Sequence, residues 1–299
     1  MSTDSSPGDF LQRFHLERAH VRGVLVRLEE SWHQVRSRAE YPLPVQDLLA
    51  KALAASALLT GNIKFEGALS IQLKTRGAVH LLFAECSHDG RLRGLARWQG
   101  DIADDYRLTD AATEPILAIT IENSTSGQRY QGLVPVEDSD LSVLFERYFE
   151  RSEQLPTRIV LAADGQRCAG LMLQLLPRDA AMLEDDPDSW NRVGMLLDTV
   201  AADELLNLSA EQLLVRLFHE ESVQAQAPRP LSFGCRCSRE RVAGVLQSLG
   251  RDEAQAAVRE DGQVEVTCEF CNTLYRFDRV DIEQLFVSGF EAPASPSAH

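Results

Sequence analysis

Four cysteines in two close pairs constrain the fold of the last part of this chain more than any other feature. The pairs are Cys235 with Cys237 and Cys268 with Cys271, which have the spacings CxC and CxxC. The surrounding residues 231–290 include few large apolar side chains, and about 60 residues of this kind rarely fold unaided. Four thiolates in two close pairs match a tetrahedral sulfur site for Zn²⁺, in which each pair supplies one edge. The sequence therefore predicts a small metal-binding domain with these four cysteines as ligands.

The spacing alone leaves other interpretations open. An iron–sulfur cluster also uses four thiolates, and the CxC pair departs from the two CxxC pairs of a standard zinc ribbon. An inert structural zinc is a further alternative, and so are four unrelated buried cysteines.

The chemistry of paired thiolates adds a redox interpretation. A CxxC pair in a turn can bring its α-carbons within disulfide range, whereas a CxC pair is near the upper limit, so its disulfide would be strained and readily reduced. Thiolates beside a metal are already deprotonated, and the thiolate is the reactive species. Oxidation of either pair removes two ligands, expels the metal and unfolds a domain that the metal holds together. The four cysteines are therefore a candidate oxidant sensor.

The composition limits the class of protein. The 299 residues carry a formal net charge of −15, which disfavours binding to nucleic-acid phosphates. No run approaches the ~18 consecutive apolar residues of a membrane span. Residues 1–9 are polar and acidic, which predicts a disordered start and no signal peptide. We therefore expect a cytoplasmic protein with reduced cysteines and no membrane partner, and the absence of a P-loop or dinucleotide fingerprint predicts no nucleotide.

Residues 1–177 mix strand and helix signals. Three turn pairs between apolar runs predict hairpins, at Asp89-Gly90, Ser126-Gly127 and Asp164-Gly165. The predicted strands cover residues 24–28, 68–74, 79–86, 92–98, 116–121, 130–135, 158–163 and 169–176. Helical spacing predicts helices over residues 44–60 and 141–151. Hairpin-joined strands with added helices indicate an α+β domain with a largely antiparallel sheet.

Residues 178–230 are a distinct acidic segment with 11 Asp and Glu against 4 Arg, a net charge of −7. Apolar residues at helical spacing predict two or three short amphipathic helices here. Short helices are marginal in water, so their apolar faces need a partner. Residues 224–230 have the composition of a linker, and residues 291–299 that of a disordered tail.

Two capping-box patterns predict where helices begin. Ser31 is followed by Gln34, and Ser209 by Gln212. A Ser three residues before Gln can exchange two hydrogen bonds with the first helical turn. In residues 231–290, helices are predicted at 239–249 and 253–260, and short strands at 264–267 and 273–277.

The cysteine pairs lie in two distinctive stretches, FGCRCSRERV at residues 233–242 and VTCEFCNT at 266–273. With these stretches the chain closely resembles the redox-regulated bacterial heat-shock chaperone family, also called the 33 kDa chaperonins. Supporting stretches lie at residues 64–67, 90–94, 130–135, 152–157 and 169–174. The resemblance covers nearly the whole chain.

This resemblance implies an ATP-independent holdase whose reduced, zinc-bound form is inactive. Oxidation under stress would form the disulfides Cys235–Cys237 and Cys268–Cys271 and release the zinc. The domain of residues 231–290 would then unfold, and the segment 178–230 would lose its order. Exposed surface would bind unfolding client proteins, and the oxidised form would tend to dimerise.

Two other functions are compatible with parts of the sequence. A zinc-ribbon nucleic-acid-binding protein is supported by Arg236, Arg239 and Arg241 beside the cysteines, but the overall acidity opposes it. A thiol oxidoreductase would use Cys268 and Cys271, but the expected strand–CxxC–helix context is missing. Neither rival nor the chaperone is expected to use Cys86 and Cys168, which lie on predicted strands and are interpreted as packed small hydrophobes.

Overall fold

The structure is a computed structural model that describes residues 8–63, 66–110, 115–177, 186–258 and 262–287. It separates into two units, Met1–Gly234 and Cys235–His299. The predicted boundaries at residues 177 and 230 stay predictions. The predicted disordered ends lie almost wholly outside the described residues, as do the first two residues of the 64–67 stretch.

The first unit is built on two sheets. One sheet has the strand order β10-β1-β2-β9-β8, with β11 also paired to β1, and all of its pairs are antiparallel. Its strands are β1 (Phe10–Leu16), β2 (Val21–Leu28), β8 (Thr157–Ala163), β9 (Cys168–Leu175), β10 (Val223–Ala225) and β11 (Arg229–Pro230).

The second sheet has the order β12-β5-β4-β3-β6-β7, and it is antiparallel except for the pair between β12 and β5. Its strands are β3 (Gly67–Lys74), β4 (Val79–Ser87), β5 (Arg91–Trp98), β6 (Ile116–Asn123), β7 (Arg129–Pro135) and β12 (Ser232–Phe233). The predicted α+β class with largely antiparallel sheets is confirmed.

A long helix, α2 (Leu43–Asn62), lies at the centre of the main hydrophobic core and contacts strands of both sheets. By length and composition it could cross a membrane, but 67% of its most apolar window is buried inside the unit. The helix can lie close to β9 because a glycine of that strand faces it. A side chain at Gly170 of β9 would lie 2.5 Å from a methyl group of Leu58. The helix therefore serves as the core element between the sheets.

The opposite face of the first sheet is covered by three short helices of the acidic segment. These are α4 (Ser189–Asp198), α5 (Ala202–Asn207) and α6 (Ala210–Phe218). Their buried residues join Phe10, Phe14 and Leu25 in a second core, with Phe218 stacked on Phe14 at a ring-centroid distance of 6.1 Å. Because both faces of the sheet are covered, β2 is buried almost throughout instead of alternating.

Two further short helices lie in the first unit. These are α1 (Glu30–Arg36) and α3 (Leu141–Tyr148), and α3 continues into a π-helical turn over Phe149–Glu153. The predicted capping box at Ser31 is wrong. The carboxylate of Asp9 instead accepts the backbone N–H groups of Glu29, Glu30 and Ser31 at 2.6, 3.0 and 2.6 Å.

The predicted linker 224–230 is more ordered than its composition suggested, because β10 and β11 pair with β1. The second unit consists of α7 (Arg239–Leu249), α8 (Arg251–Ala256), the hairpin β13 (Gln263–Thr267) and β14 (Leu274–Asp278), and α9 (Arg279–Val287). The sequence did not predict α9. Five buried apolar residues form the core of this unit, namely Leu246, Ala254, Val264, Phe277 and Ile282.

Candidate metal centre

Two local structures of the second unit carry the four cysteines. Cys235 and Cys237 lie on the irregular stretch before α7, whose first turn is capped by Ser238, where the hydroxyl accepts the Arg241 N–H at 3.3 Å. Cys268 and Cys271 lie in the turn that joins β13 to β14. The CxxC pair is therefore not at the start of a helix, which is where a thioredoxin-like site would hold it.

Backbone hydrogen bonds fix the shape of the CxxC turn. The N–H of Asn272 donates to the carbonyl of Cys268 at 2.8 Å, and the N–H of Cys268 donates to the carbonyl of Thr273 at 2.9 Å. Asn272 adopts a left-handed conformation with φ 57°, which asparagine tolerates better than most residues. The chain thus turns back tightly, with both thiols in the same turn.

The fold brings all four predicted ligands together. Their sulfur atoms all lie within 4.8 Å of one another. The Sγ atoms of Cys235 and Cys268 are 3.6 Å apart, and those of Cys237 and Cys271 are 3.3 Å apart. A tetrahedral site with Zn–S bonds of about 2.3 Å has sulfur–sulfur edges of about 3.8 Å. The four cysteines are therefore arranged as a metal site of this kind requires.

Two hydroxyl groups next to the sulfurs were missed by the sequence analysis. The Tyr275 hydroxyl donates a hydrogen bond to the Sγ of Cys237 at 3.1 Å, and the Thr273 Oγ1 lies 3.1 Å from the Sγ of Cys271. Groups that hydrogen-bond to metal ligands orient them and tune their basicity. The only available signal was the position of both residues just after the CxxC pair.

Without a metal, the thiols differ in acidity. Burial raises the pKa of Cys235 to about 12, and burial also raises the pKa of Cys268. Burial acts in the same direction on Cys271, but hydrogen bonds from Thr273 and from the neighbouring cysteines outweigh it and lower the pKa to about 7. Of these three thiols, Cys271 is thus the most readily ionised near neutral pH, and thiolate is the form that acts as a ligand or nucleophile.

The ligand chemistry favours a soft metal. Four sulfur donors with no carboxylate or imidazole select zinc or iron–sulfur clusters over magnesium or calcium. All four cysteines are half-buried, and the unit has only the small core described above. A metal bound here would tie the stretch before α7 to the β13–β14 turn, two parts that this core joins weakly.

The remaining cysteines lie in the core of the first unit. Cys86 on β4 and Cys168 on β9 are each 0% exposed. Burial raises the pKa of Cys86 to about 12 and raises that of Cys168 well above its usual value. Both remain protonated thiols at neutral pH, in agreement with their interpretation as packing residues.

Comparisons with known proteins find relatives that match nearly the whole chain. A 33 kDa chaperonin of Ectopseudomonas mendocina is 46% identical over 290 residues, which cover 96% of this chain and 98% of that protein. A 33 kDa chaperonin of Pseudomonas fluorescens is 44% identical over 296 residues, 98% of each protein. The crystal structure of the 33 kDa chaperonin from Thermotoga maritima is only 19% identical but has the same fold, with a TM-score of 0.78 over 93% of this chain and 97% of that one.

The family model described as Hsp33 protein matches residues 9–278, which cover most of both units and include all four clustered cysteines. With this match and the two full-length relatives, the chain belongs to the Hsp33 family of chaperones.

Proposed function

We propose that this chaperone is an ATP-independent holdase that the four-cysteine cluster switches on under oxidative stress in the cytoplasm. The observation that carries the proposal is the convergence of Cys235, Cys237, Cys268 and Cys271 in a unit whose described residues include only five buried apolar ones. A unit of this size gains much of its stability from a bound metal. A reaction that removes the metal ligands therefore removes the fold.

In the reduced protein, the four thiolates would hold one Zn²⁺, which would link the stretch before α7 to the β13–β14 turn. Tyr275 and Thr273 hold two of the sulfurs in position through their hydroxyl groups.

Peroxide is the proposed oxidant. One thiolate attacks a peroxide oxygen, the O–O bond breaks, and a sulfenic acid and hydroxide form. The second thiolate of the pair then attacks the sulfenic sulfur, so that a disulfide forms and a second hydroxide leaves. Formation of each disulfide removes two electrons from two thiolates and reduces one peroxide molecule. Two peroxide molecules therefore oxidise all four cysteines to two disulfides.

The pairing Cys235–Cys237 and Cys268–Cys271 is proposed from the family resemblance. Proximity alone does not select it, because the separations of 3.6 and 3.3 Å join sulfurs of different pairs. The two thiols of each proposed pair are only two or three positions apart in the sequence, so these disulfides form without bringing distant segments together. Peptide mapping of the oxidised protein tests this pairing, and linkage of Cys235 to Cys268 would contradict it.

Unfolding of the second unit acts on the first through the chain itself. Cys235 directly follows β12 and Gly234, whose N–H donates to the carbonyl of Leu92 at 2.8 Å. The preceding strands β10 and β11 are only 3 and 2 residues long. Loss of these short pairings would free the C-terminal end of the acidic segment. Its helices would then release the apolar face that covers the first sheet, and client proteins would bind to the exposed surface.

A cysteine double variant tests the proposal. Cys268→Ser with Cys271→Ser removes half of the metal ligands, so we expect it to suppress aggregation of a heat-denatured client without any oxidant. A matched control, Cys86→Ala with Cys168→Ala, removes the same number of thiols but should still require oxidation. If the ligand variant also required oxidation, the proposed switch would be wrong. We also propose, from the family resemblance, that the oxidised form dimerises, and size-exclusion chromatography of the oxidised wild type tests this.

A further inference from the structure

Three arginines lie in a row on one face of the first sheet, beyond the C-terminal end of α2. Arg13 is on β1, Arg22 on β2 and Arg229 on β11. The register pairs His15 with Arg22 and Leu11 with Arg229, so both arginines are diagonal neighbours of Arg13 on the same face. Residues far apart in sequence thus form one cationic row.

Within the described residues, none of these three arginines forms an ion pair with a carboxylate. Arg13 Nε donates to the carbonyl of Gly61 at 2.5 Å, and Arg22 Nε donates to the side-chain oxygen of Gln174 at 2.8 Å. Arg229 Nη1 donates to the carbonyl of His88 at 2.8 Å, while its Nε and Nη2 are buried without a hydrogen-bond partner. Three positive charges are therefore in contact only with neutral oxygens.

This lack of charge compensation is unusual in a chain with 45 acidic and 30 basic residues. Elsewhere in the same unit, some part-buried arginines pair with carboxylates, such as Arg93 with Glu85 at 2.9 Å, whereas Arg27 donates its hydrogen bonds to backbone carbonyls. In the row, burial and the adjacent arginine lower the pKa of both Arg13 and Arg22. The positive charges of the three arginines therefore repel one another, and a bound anion would stabilise this part of the protein.

A cleft gives an anion access to this row. It has a volume of about 280 Å³ and is lined by Arg13, His15, Arg22, Asn62 and Gln226, among others. Asn62 Nδ2 and both contacting nitrogens of Arg22 donate to the same oxygen of Gln174, which is 1% exposed and holds them in place. Gln174 takes Nε and Nη2 of Arg22, and Gly61 takes Nε of Arg13, so Nη1 of Arg22 and both Nη groups of Arg13 are the donors left for a ligand. The two Nη groups of a planar guanidinium match the oxygens of a phosphate group.

We propose that this cleft is a binding site for a small phosphate anion, centred on Arg13 and Arg22 with Arg229 adding charge. The cleft is lined on one side by Leu176, just before the acidic segment, and on the other by Gln226, just after its helices. The backbone N–H of Gln226 donates to the carbonyl of Arg13 at 2.8 Å. A bound anion would thus also stabilise the position of the strand that follows the helices.

Calorimetric titration of the reduced, metal-loaded full chain with diphosphate tests the site, with chloride keeping the ionic strength constant. We expect saturable binding with a stoichiometry of one. Arg22→Gln should weaken it at least ~10-fold, because a charge-assisted contact is lost. Arg129→Gln makes the same charge change on an exposed strand of the other sheet and should bind as the wild type does.

Two further measurements complete the test. Arg22→Lys keeps the charge and the fold but lacks the forked donor, so it should bind several-fold more weakly even where Arg22→Gln fails to fold. Arg22-dependent binding of both orthophosphate and glycerol 3-phosphate would assign the site to phosphate groups in general, and binding of inorganic phosphates alone would restrict it to free ions. Absence of saturable binding, or equal weakening by Arg129→Gln, would overturn the proposal.

Discussion

Arg192 and Glu221 form a two-point ion pair, with Nε–Oε1 at 2.7 Å and Nη2–Oε2 at 3.1 Å. Arg192 lies on α4, and Glu221 follows α6 and is only 2% exposed. The same guanidinium contacts Asp186 at 2.8 Å, before α4 begins. One side chain therefore joins the two ends of the helical part of the acidic segment.

Glu221→Gln should loosen this segment. The substitution keeps the shape of the side chain but removes the buried charge that faces Arg192. We expect a loss of about 1–3 kcal/mol in the free energy of unfolding, below the full cost of breaking a buried pair because Arg192 is partly solvated. Urea unfolding of the reduced protein measures the loss, and activation should need less oxidant.

Glu220→Gln is the matched control, because it makes the same change at a carboxylate that is 79% exposed. We expect its unfolding free energy to stay within about 0.5 kcal/mol of the wild type. Equal effects of the two variants would mean that general charge, and not the Arg192 contact, determines the stability of the segment.

Phe218→Ala should release the helical segment more strongly. Phe218 is 0% exposed and stacks on Phe14, so truncation leaves a cavity that costs about 3–5 kcal/mol. We expect chaperone activity in the reduced protein, measured as suppression of client aggregation. Val215→Ala on the exposed side of the same helix should leave the reduced protein inactive, since Val215 is 55% exposed. If the reduced Phe218→Ala protein were destabilised but inactive, release of these helices from the first sheet would not be what allows clients to bind.

Tyr275→Phe should weaken metal binding, because it removes the hydrogen bond to Cys237 and leaves the four sulfurs in place. Loss of such a contact typically lowers metal affinity about 10–100-fold. Competition with a chromogenic chelator measures the change. Tyr130→Phe, which removes a tyrosine hydroxyl from the first unit, serves as the control, and equal affinities in the two variants would exclude a role for Tyr275.

Alkylation just after the metal is chelated, while the second unit is still folded, should label Cys271 before Cys235. Its pKa of about 7 leaves about half of it as thiolate at pH 7, whereas Cys235, with a pKa of about 12, is almost fully protonated. Brief iodoacetamide treatment followed by mass spectrometry checks the order. Lowering the pH to 5.5 should slow labelling of Cys271 more than about tenfold, because thiolate is lost as the pH falls below the pKa. Preferential labelling of Cys235 would contradict the order.

Local sequence patterns predicted features that depend on neighbouring residues alone. The capping box of Ser209 and Gln212 is present with both hydrogen bonds, at 3.2 and 3.0 Å. The same pattern at Ser31 and Gln34 fails because strand pairing brings the carboxylate of Asp9 to the start of α1. A capping carboxylate from a distant part of the chain leaves no signal in the sequence around the helix start.

The candidate site shows the same limit. The spacing of the cysteines predicted the four clustered sulfurs, since each pair is local and the chemistry of four thiols is distinctive. The contact of Tyr275 with Cys237 depends on how the hairpin packs against the stretch before α7. The row of Arg13, Arg22 and Arg229 depends on the order of strands in the sheet, so neither could be predicted from spacing.

Simultaneous recording of metal release and chaperone activity tests the central claim most directly. The reduced protein, containing about one zinc, is treated with peroxide at raised temperature. A chromogenic chelator reports free zinc, and light scattering of a denaturing client in parallel samples reports activity. We expect suppression of aggregation to be absent at the start and to rise only as zinc is released. Full suppression by protein that still holds its zinc, or complete zinc release without any suppression, would contradict it.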